Sequence, residues 1–221
     1  MNELLGDIIQ AIINGEDEEV EKLIRKSIEL GIEPLKILNE GLIKGLRILG
    51  DKFNQGEIFL PDLMLGAEAA KKGLKLIEPE LRKLNVQREF IGTVVIGTVE
   101  GDIHDIGKSI VSIMLEVNGF KVYDLGVDVP TEIFVKKVEE LKPDILGLSA
   151  LLSTTMVKQR EVIEALNKKG IRNKVKVMIG GAPITSEWAE EIGADGYAID
   201  AITAVNRAKE LIKVLKEERS I

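Results

Sequence analysis

The feature that most constrains this chain is a change in hydrophobic period near residue 85. Before that point, apolar residues recur at steps of three and four, the period of an amphipathic helix. Leu4, Leu5, Ile8, Ile9, Ile12 and Ile13 form one stripe ended by Asn14 and Gly15, and Val20, Leu23, Ile24 and Ile28 form a second ended by Gly31. Leu35, Leu38, Leu42, Leu46, Leu49 and Phe53 make a third, and Leu60, Leu63, Ala67, Ala70, Leu74, Ile77, Leu81 and Leu84 a fourth. Four stripes with short links predict an antiparallel helical bundle. Beyond a polar link at residues 85–89, the apolar residues gather into short β-rich runs at 92–98, 121–125, 145–148, 175–179 and 196–198, with amphipathic segments between them.

Buried apolar strands alternating with helices predict a parallel sheet covered on both faces. The fold class expected is therefore α/β: a four-helix bundle over residues 1–88, then a flavodoxin- or Rossmann-like five-stranded parallel-sheet domain over residues 89–221. The final helix, from Ala201, carries a Val205, Ala208, Leu211, Ile212 and Leu215 stripe that should pack onto the sheet. Doubly wound sheets take ligands outside the carboxyl ends of their strands, where strand order reverses. The loops at those ends are residues 100–107, 126–130, 149–155, 180–183 and 197–200, so chemistry is expected there.

The first of these loops, within EGDIHDIGKS (residues 100–109), holds the single histidine of the 221 residues. The chain has no cysteine, which excludes disulfides, thiolate catalysis and thiolate-held metals. Any metal must be held by histidine, by carboxylate or within a prosthetic group. A net charge of -7 without a basic run argues against a nucleic-acid partner. No apolar run approaches the roughly 18 residues that span a bilayer, and the first residues lack the basic start of a signal peptide. No membrane association and a cytoplasmic location are expected.

A histidine between glycines can be an exposed turn residue, or part of a phosphate cradle opening a helix at Lys108. The spacings do not match a P-loop or a dinucleotide fingerprint. The wider pattern is Asp102-x-His104-x-x-Gly107, then Ser149-x-Leu151, then Gly180-Gly181, each after a different expected strand. This pattern resembles the corrinoid-binding signature of cobalamin proteins that supply the lower cobalt ligand themselves, such as the cobalamin-binding region of methionine synthase. DKFNQGEIFLPDLMLGAEAA, residues 51–70, resembles the joint between the last two cap helices of the methanol and methylamine methyltransferase corrinoid proteins. The likeness thus spans nearly the whole chain.

The resemblance implies cobalamin or a related corrinoid as cofactor, with His104 as the cobalt ligand. A corrin ring brings four equatorial nitrogens, so one axial imidazole is enough. Asp102 would set the tautomer and orientation of that imidazole, with Ser149 bonded in the same relay. Further cofactor contacts implied are Gly101, Ile103, Asp105, Gly107, Leu151, Thr154, Gly180, Gly181, Tyr197 and Asp200. The glycines would let the backbone approach the nucleotide tail. As an isolated residue Tyr197 reads equally as a core-capping aromatic, and Asp105 and Lys108 as solvated charges. Phe53, Leu60 and Leu63 match positions that cover the upper corrin face; periodicity alone makes them bundle core.

The function implied is that of a methyl carrier, one subunit of a multi-component methyltransferase and not a complete enzyme. It would cycle between cobalt(I) and methylcobalt(III), moving a methyl group from a methylamine, methanol, betaine or methyl ether donor to a thiol or pterin acceptor. The partners implied are a substrate-specific methyltransferase, a second methyltransferase for the acceptor and a reductive activation protein. Two other readings share the motif. A cobalamin-dependent sensor or regulator would need a DNA-reading module before the bundle, and a mutase subunit would work with a barrel in place of a bundle.

Overall fold

A computed structural model of the protein describes residues 2–83 and 90–219. The chain divides into two compact units, residues 1–89 and 90–221. Leu84, the polar link and the expected boundary at 88–89 lie outside the described residues.

The first unit is helical. Helices α1 (Asn2–Asn14) and α2 (Asp17–Glu29) are followed by a continuous run of α3 (Pro34–Lys36), a π-helical stretch (Ile37–Ile43) and α4 (Lys44–Asn54), and then by α5 (Leu60–Lys83). Acidic Asp17, Glu18 and Glu19 sit in the first turn of α2, where the helix dipole favours negative charge. Pro34 opens α3, where its missing N–H costs nothing. The stripes meet inside the unit: Ile8, Ile12, Val20, Ile24, Leu42, Leu49, Leu63 and Ile77 are fully buried or nearly so. Each such side chain contributes about 1.5–3 kcal/mol through burial. The third stripe departs from expectation. Ile37, outside the three-four pattern, is fully buried, while Leu35 is only half-buried. The π-helical turns bond i to i+5, which shifts the phase of the inward face.

The second unit is a five-stranded parallel sheet of β1 (Thr93–Thr98), β2 (Lys121–Asp124), β3 (Ile145–Ser149), β4 (Lys176–Gly180) and β5 (Gly196–Ala198), in the order β2-β1-β3-β4-β5. The helices between and after them are α6 (Ile106–Val117), α7 (Thr131–Leu141), α8 (Val157–Lys168), α9 (Ser186–Ile192) and α10 (Ala201–Glu218). This is the flavodoxin-like order, whose switch point lies between β1 and β3. Thr98 pairs with Ser149, Ser149 with Gly180, and Gly180 with Ala198, so four strands end level with one another. Their loops therefore share one edge. The predicted stripe of α10 is buried, Val205 through Leu215, and α10 packs beside α6. Among the described residues no helix is long and apolar enough to cross a membrane.

Candidate functional site

The loop after β1 is shaped by bonds to its neighbour. Thr98, fully buried, donates its hydroxyl to the carbonyl of His104 at 2.9 Å. Val99 bridges to Val129, the N–H of Asp128 donates to the carbonyl of Asp102 at 2.9 Å, and the N–H of Gly101 donates to the Asp128 carboxylate at 2.7 Å. Asp128 holds the left-handed conformation (φ 52°), which aspartate tolerates better than most residues. The loops after β1 and β2 are thus stitched together, and Asp102 is directed inward.

The Asp102 side chain is 0% exposed and accepts four hydrogen bonds. Its Oδ1 takes the backbone N–H of His104 at 3.1 Å and the imidazole Nδ1 at 2.8 Å. Its Oδ2 takes the N–H of Leu151 and the hydroxyl of Thr155, both at 2.7 Å. Burial pushes the carboxyl up, but the Thr155 hydroxyl, the two backbone N–H groups and the imidazole outweigh it and hold Asp102 well below the usual carboxylate range. An ionised carboxylate can only accept, so Nδ1 carries a proton, and in the tautomer this fixes, the lone pair lies on Nε2. Among the described residues nothing bonds to Nε2, and the imidazole is 46% exposed.

The surroundings are apolar. Ile103 (74%) and Ile106 are exposed in the loop and at the start of α6, Leu151 and Leu152 after β3, and Ile199 (75%) after β5. Large exposed aliphatic side chains on several loops of one sheet edge mark a binding surface for an extended, partly apolar ligand. Among the described residues no group of three or more histidines and carboxylates could hold a metal ion unaided. One presented imidazole amid aliphatic side chains fits a metal that arrives with its equatorial ligands already in place.

The structure corrects the relay. Ser149 was the expected hydroxyl, but its carbonyl pairs with Val99 and its side chain makes no bond to Asp102. The turn that bonds the Thr155 N–H to the Leu152 carbonyl brings the Thr155 hydroxyl to Asp102 instead, 7% exposed. Leu151 contributes its backbone. We expect Thr155→Val to lower thermal stability by about 1–2 kcal/mol, the cost of losing a buried charge-assisted hydrogen bond, and to loosen His104. Ser149→Ala should leave stability nearly unchanged; thermal melts of the two variants check this.

Lys108 is a second correction. It is buried, 5% exposed, and paired with Asp124, which also accepts the N–H of Gly126. The pair ties the first turn of α6 to the end of β2, a contact across sixteen residues. Asp105 is exposed at the start of α6 and makes no side-chain cap bond. Asp200 caps α10: the Thr203 N–H, at 2.8 Å, and then its hydroxyl hold the carboxyl below its ordinary value. Tyr197 is half-buried and packs against the sheet core, and Thr154 is exposed. In the bundle unit Leu63 is wholly buried as a core residue, and Phe53 and Leu60 are half-buried.

The glycines separate into two kinds. A Cβ on Gly181 (φ 132°) would lie 1.7 Å from the carbonyl oxygen of Ala150, and one on Gly180 would lie 3.1 Å from that of Ala198. At Gly181 the protein's own backbone excludes any side chain, and at Gly180 the backbone makes the space tight. A Cβ on Gly107 would meet nothing within 4 Å.

Residues 92–218, more than half of the chain, match the B12 binding domain family. The chain belongs to that family. A further B12 binding domain match covers residues 4–78. This B12-binding protein is 46% identical to the trimethylamine corrinoid protein of Methanosarcina barkeri over 96% of its own length and 98% of the relative. It is also 46% identical to dimethylamine corrinoid protein 2 of Methanosarcina acetivorans, over 95% and 96% of the two chains. Among solved structures it is similar to the methanol:cobalamin methyltransferase complex of Methanosarcina barkeri, with a TM-score of 0.88 at 33% identity, covering 96% of this chain and 80% of that one. The B12-binding assignment agrees with the geometry: a cobalt corrinoid is a metal group that asks the protein for one axial ligand.

Proposed function

We propose that the protein is the corrinoid subunit of a methylamine-class methyltransferase system. It would accept a methyl group from a donor-specific methyltransferase and yield it to a second methyltransferase bearing a thiol or pterin acceptor. A reductive activation protein would keep it in service. The observation that carries this reading is His104: Nδ1 is committed to the ionised Asp102, and Nε2 is left free among exposed aliphatic side chains. The equal identity to trimethylamine and dimethylamine corrinoid proteins supports the donor class at the level of methylamines.

A bound corrinoid would supply a cobalt that alternates between a reduced, nucleophilic state and a methyl-bearing one. The chain's own work is to bind and orient. Nε2 of His104 would hold the cobalt, and Asp102 would keep the ring in the Nδ1–H tautomer. Ile103, Ile106 and Leu151 would pack against the macrocycle, and the open space at Gly107 would admit the tail.

The test is reconstitution with hydroxocobalamin. The wild-type chain should bind it and show the absorption of imidazole-ligated cobalt with the cofactor's own base displaced. His104→Ala should still take up corrinoid but with a water-ligated spectrum, and methyl turnover with a methylamine methyltransferase should fall at least tenfold. Absence of corrinoid uptake by the wild-type chain would overturn the reading. An unchanged spectrum in His104→Ala would overturn the ligand assignment alone.

A further inference from the structure

Gln159 lies one turn into α8, four residues beyond Thr155, and is 0% exposed. Its neighbours along the helix, Val162, Ile163 and Leu166, are apolar core residues, so packing alone would favour an aliphatic side chain here. A buried carboxamide is unfavourable unless every polar atom is paired. All three functions are paired here. Nε2 donates to the carbonyl of Leu148 at 3.0 Å and to that of Gly180 at 3.2 Å, and Oε1 accepts from the indole Nε1 of Trp188 at 3.1 Å. An indole N–H can only donate and a carbonyl can only accept, so the amide has a single possible orientation.

The two carbonyls are the point of interest. Leu148 immediately precedes Ser149, and Gly180 immediately precedes Gly181. The β3–β4 ladder ends at the Ser149–Gly180 pair. Beyond it the Ala150 N–H still donates to the Gly180 carbonyl at 3.1 Å, and β4 then departs at Gly181. Gln159 therefore pins the two strands together at their last rung. The segments that leave this rung carry the Leu151 N–H, which holds Asp102, and the Gly180–Gly181 turn. The turn that leads into α8 thus reaches the imidazole through Thr155 and Asp102, and the first turn of α8 reaches the glycine turn through Gln159. Trp188, the only tryptophan of the chain, closes the linkage from α9 and is itself stacked by the Arg160 guanidinium at 4.5 Å.

We propose that Gln159 is a positioning residue for corrinoid binding: with Trp188 it sets the separation of β3 and β4 at the carboxyl edge, and through it the placement of the Leu151 amide and the Gly180–Gly181 turn. The proposal rests on the corrinoid reading above. Gln159 touches neither His104 nor a reacting atom; it acts through the strands it joins.

The experiment uses the full chain titrated with hydroxocobalamin. Gln159→Met keeps the volume and removes both donors and the acceptor. It should fold as wild type by circular dichroism, bind hydroxocobalamin at least tenfold more weakly, and show a smaller fraction of imidazole-ligated absorption when loaded. The indole N–H of Trp188, a single proton resonance, should shift when the wild-type chain binds hydroxocobalamin and shift much less in Gln159→Met. If Gln159→Met does not fold, Trp188→Phe, which strips one bond only, carries the same affinity test with an expected loss of about threefold. A variant with a lower melting temperature but unchanged affinity and spectrum would make Gln159 a purely structural residue and overturn the proposal. Failure of the wild-type chain to bind hydroxocobalamin would overturn the corrinoid reading and this proposal with it, whereas equal binding by wild type and variant would overturn the proposal alone.

Discussion

Replacing Asp102 with Asn is expected to move the imidazole proton of His104 from Nδ1 to Nε2 and so remove the lone pair that a metal would use. The carboxylate now accepts from two donors on each oxygen. A carboxamide has one oxygen and one NH2, and the NH2 must face donors on whichever side it lies. Toward Leu151 it opposes a backbone N–H that has no alternative. Toward His104 the ring can respond by deprotonating Nδ1 and carrying the proton on Nε2. The backbone N–H of His104 is still left without a partner. The expected cost in stability is about 2–3 kcal/mol, as for a buried donor left unsatisfied. Because the chain has one histidine, nitrogen-15 spectra of the imidazole read the tautomer without ambiguity, and loss of imidazole-ligated absorption on loading reads its consequence. A ring that stays protonated on Nδ1 would refute the argument.

The same substitution predicts a pH dependence. The folded Asp102 has a pKa below its ordinary value near 3.8. A depressed carboxyl contributes stability that is present above the ordinary value and is lost as pH falls through the folded one. Wild type should therefore exceed Asp102→Asn in stability at neutral pH, and the gap should close progressively below about pH 4. Denaturant melts at a series of pH values measure it, and a gap that widens in acid would contradict the sign.

Gly181→Ala is expected to be the other severe change. Its Cβ would sit 1.7 Å from the Ala150 carbonyl oxygen at a backbone φ of 132°, so β3 and β4 would have to separate at the rung that Gln159 pins. A cost of at least about 3 kcal/mol follows from steric and dihedral strain together, or a fall in Tm of roughly 10 °C for a unit of this size. Gly107→Ala is the control, since its Cβ would meet no protein atom. Alanine in a helix is favoured over glycine by about 0.5–1 kcal/mol, so the melting temperature should hold or rise. Corrinoid affinity should nevertheless fall at least tenfold if the cofactor's tail uses that space. Equal affinities for wild type and Gly107→Ala would show that the space is not used.

The strands were legible because a parallel strand covered on both faces must be apolar through its middle, and the central residues of β1, β3 and β4 are. The His104–Asp102 contact was legible through the Asp102-x-His104 motif and the resemblance it carries, and the structure forms it at 2.8 Å. Thr155 was not, since Ser153, Thr154 and Thr155 all follow β3 and only the turn through Leu152 decides which one reaches the carboxylate. Lys108 looked solvated because its partner, Asp124, lies at the end of the next strand, β2, sixteen residues along the chain. Gln159 carried no signal at all, since a glutamine in a helix normally faces water and its three partners come from β3, β4 and α9. The buried Ile37 escaped because a π-helical phase shift has no simple pattern.

By itself the sequence determined the two-unit α/β architecture, the sheet edge that carries the site and the imidazole–carboxylate pair at its centre. The first two depend on hydrophobic period, and the pair on a short motif whose resemblance implied it. Only the tertiary structure decided that Thr155 completes the carboxylate's shell, that Gly181 is glycine because backbone meets backbone there, and that Gln159 and Lys108 are buried. Those outcomes depend on which distant groups the fold brings within about 3 Å, the reach of a hydrogen bond, and residue order does not state that distance.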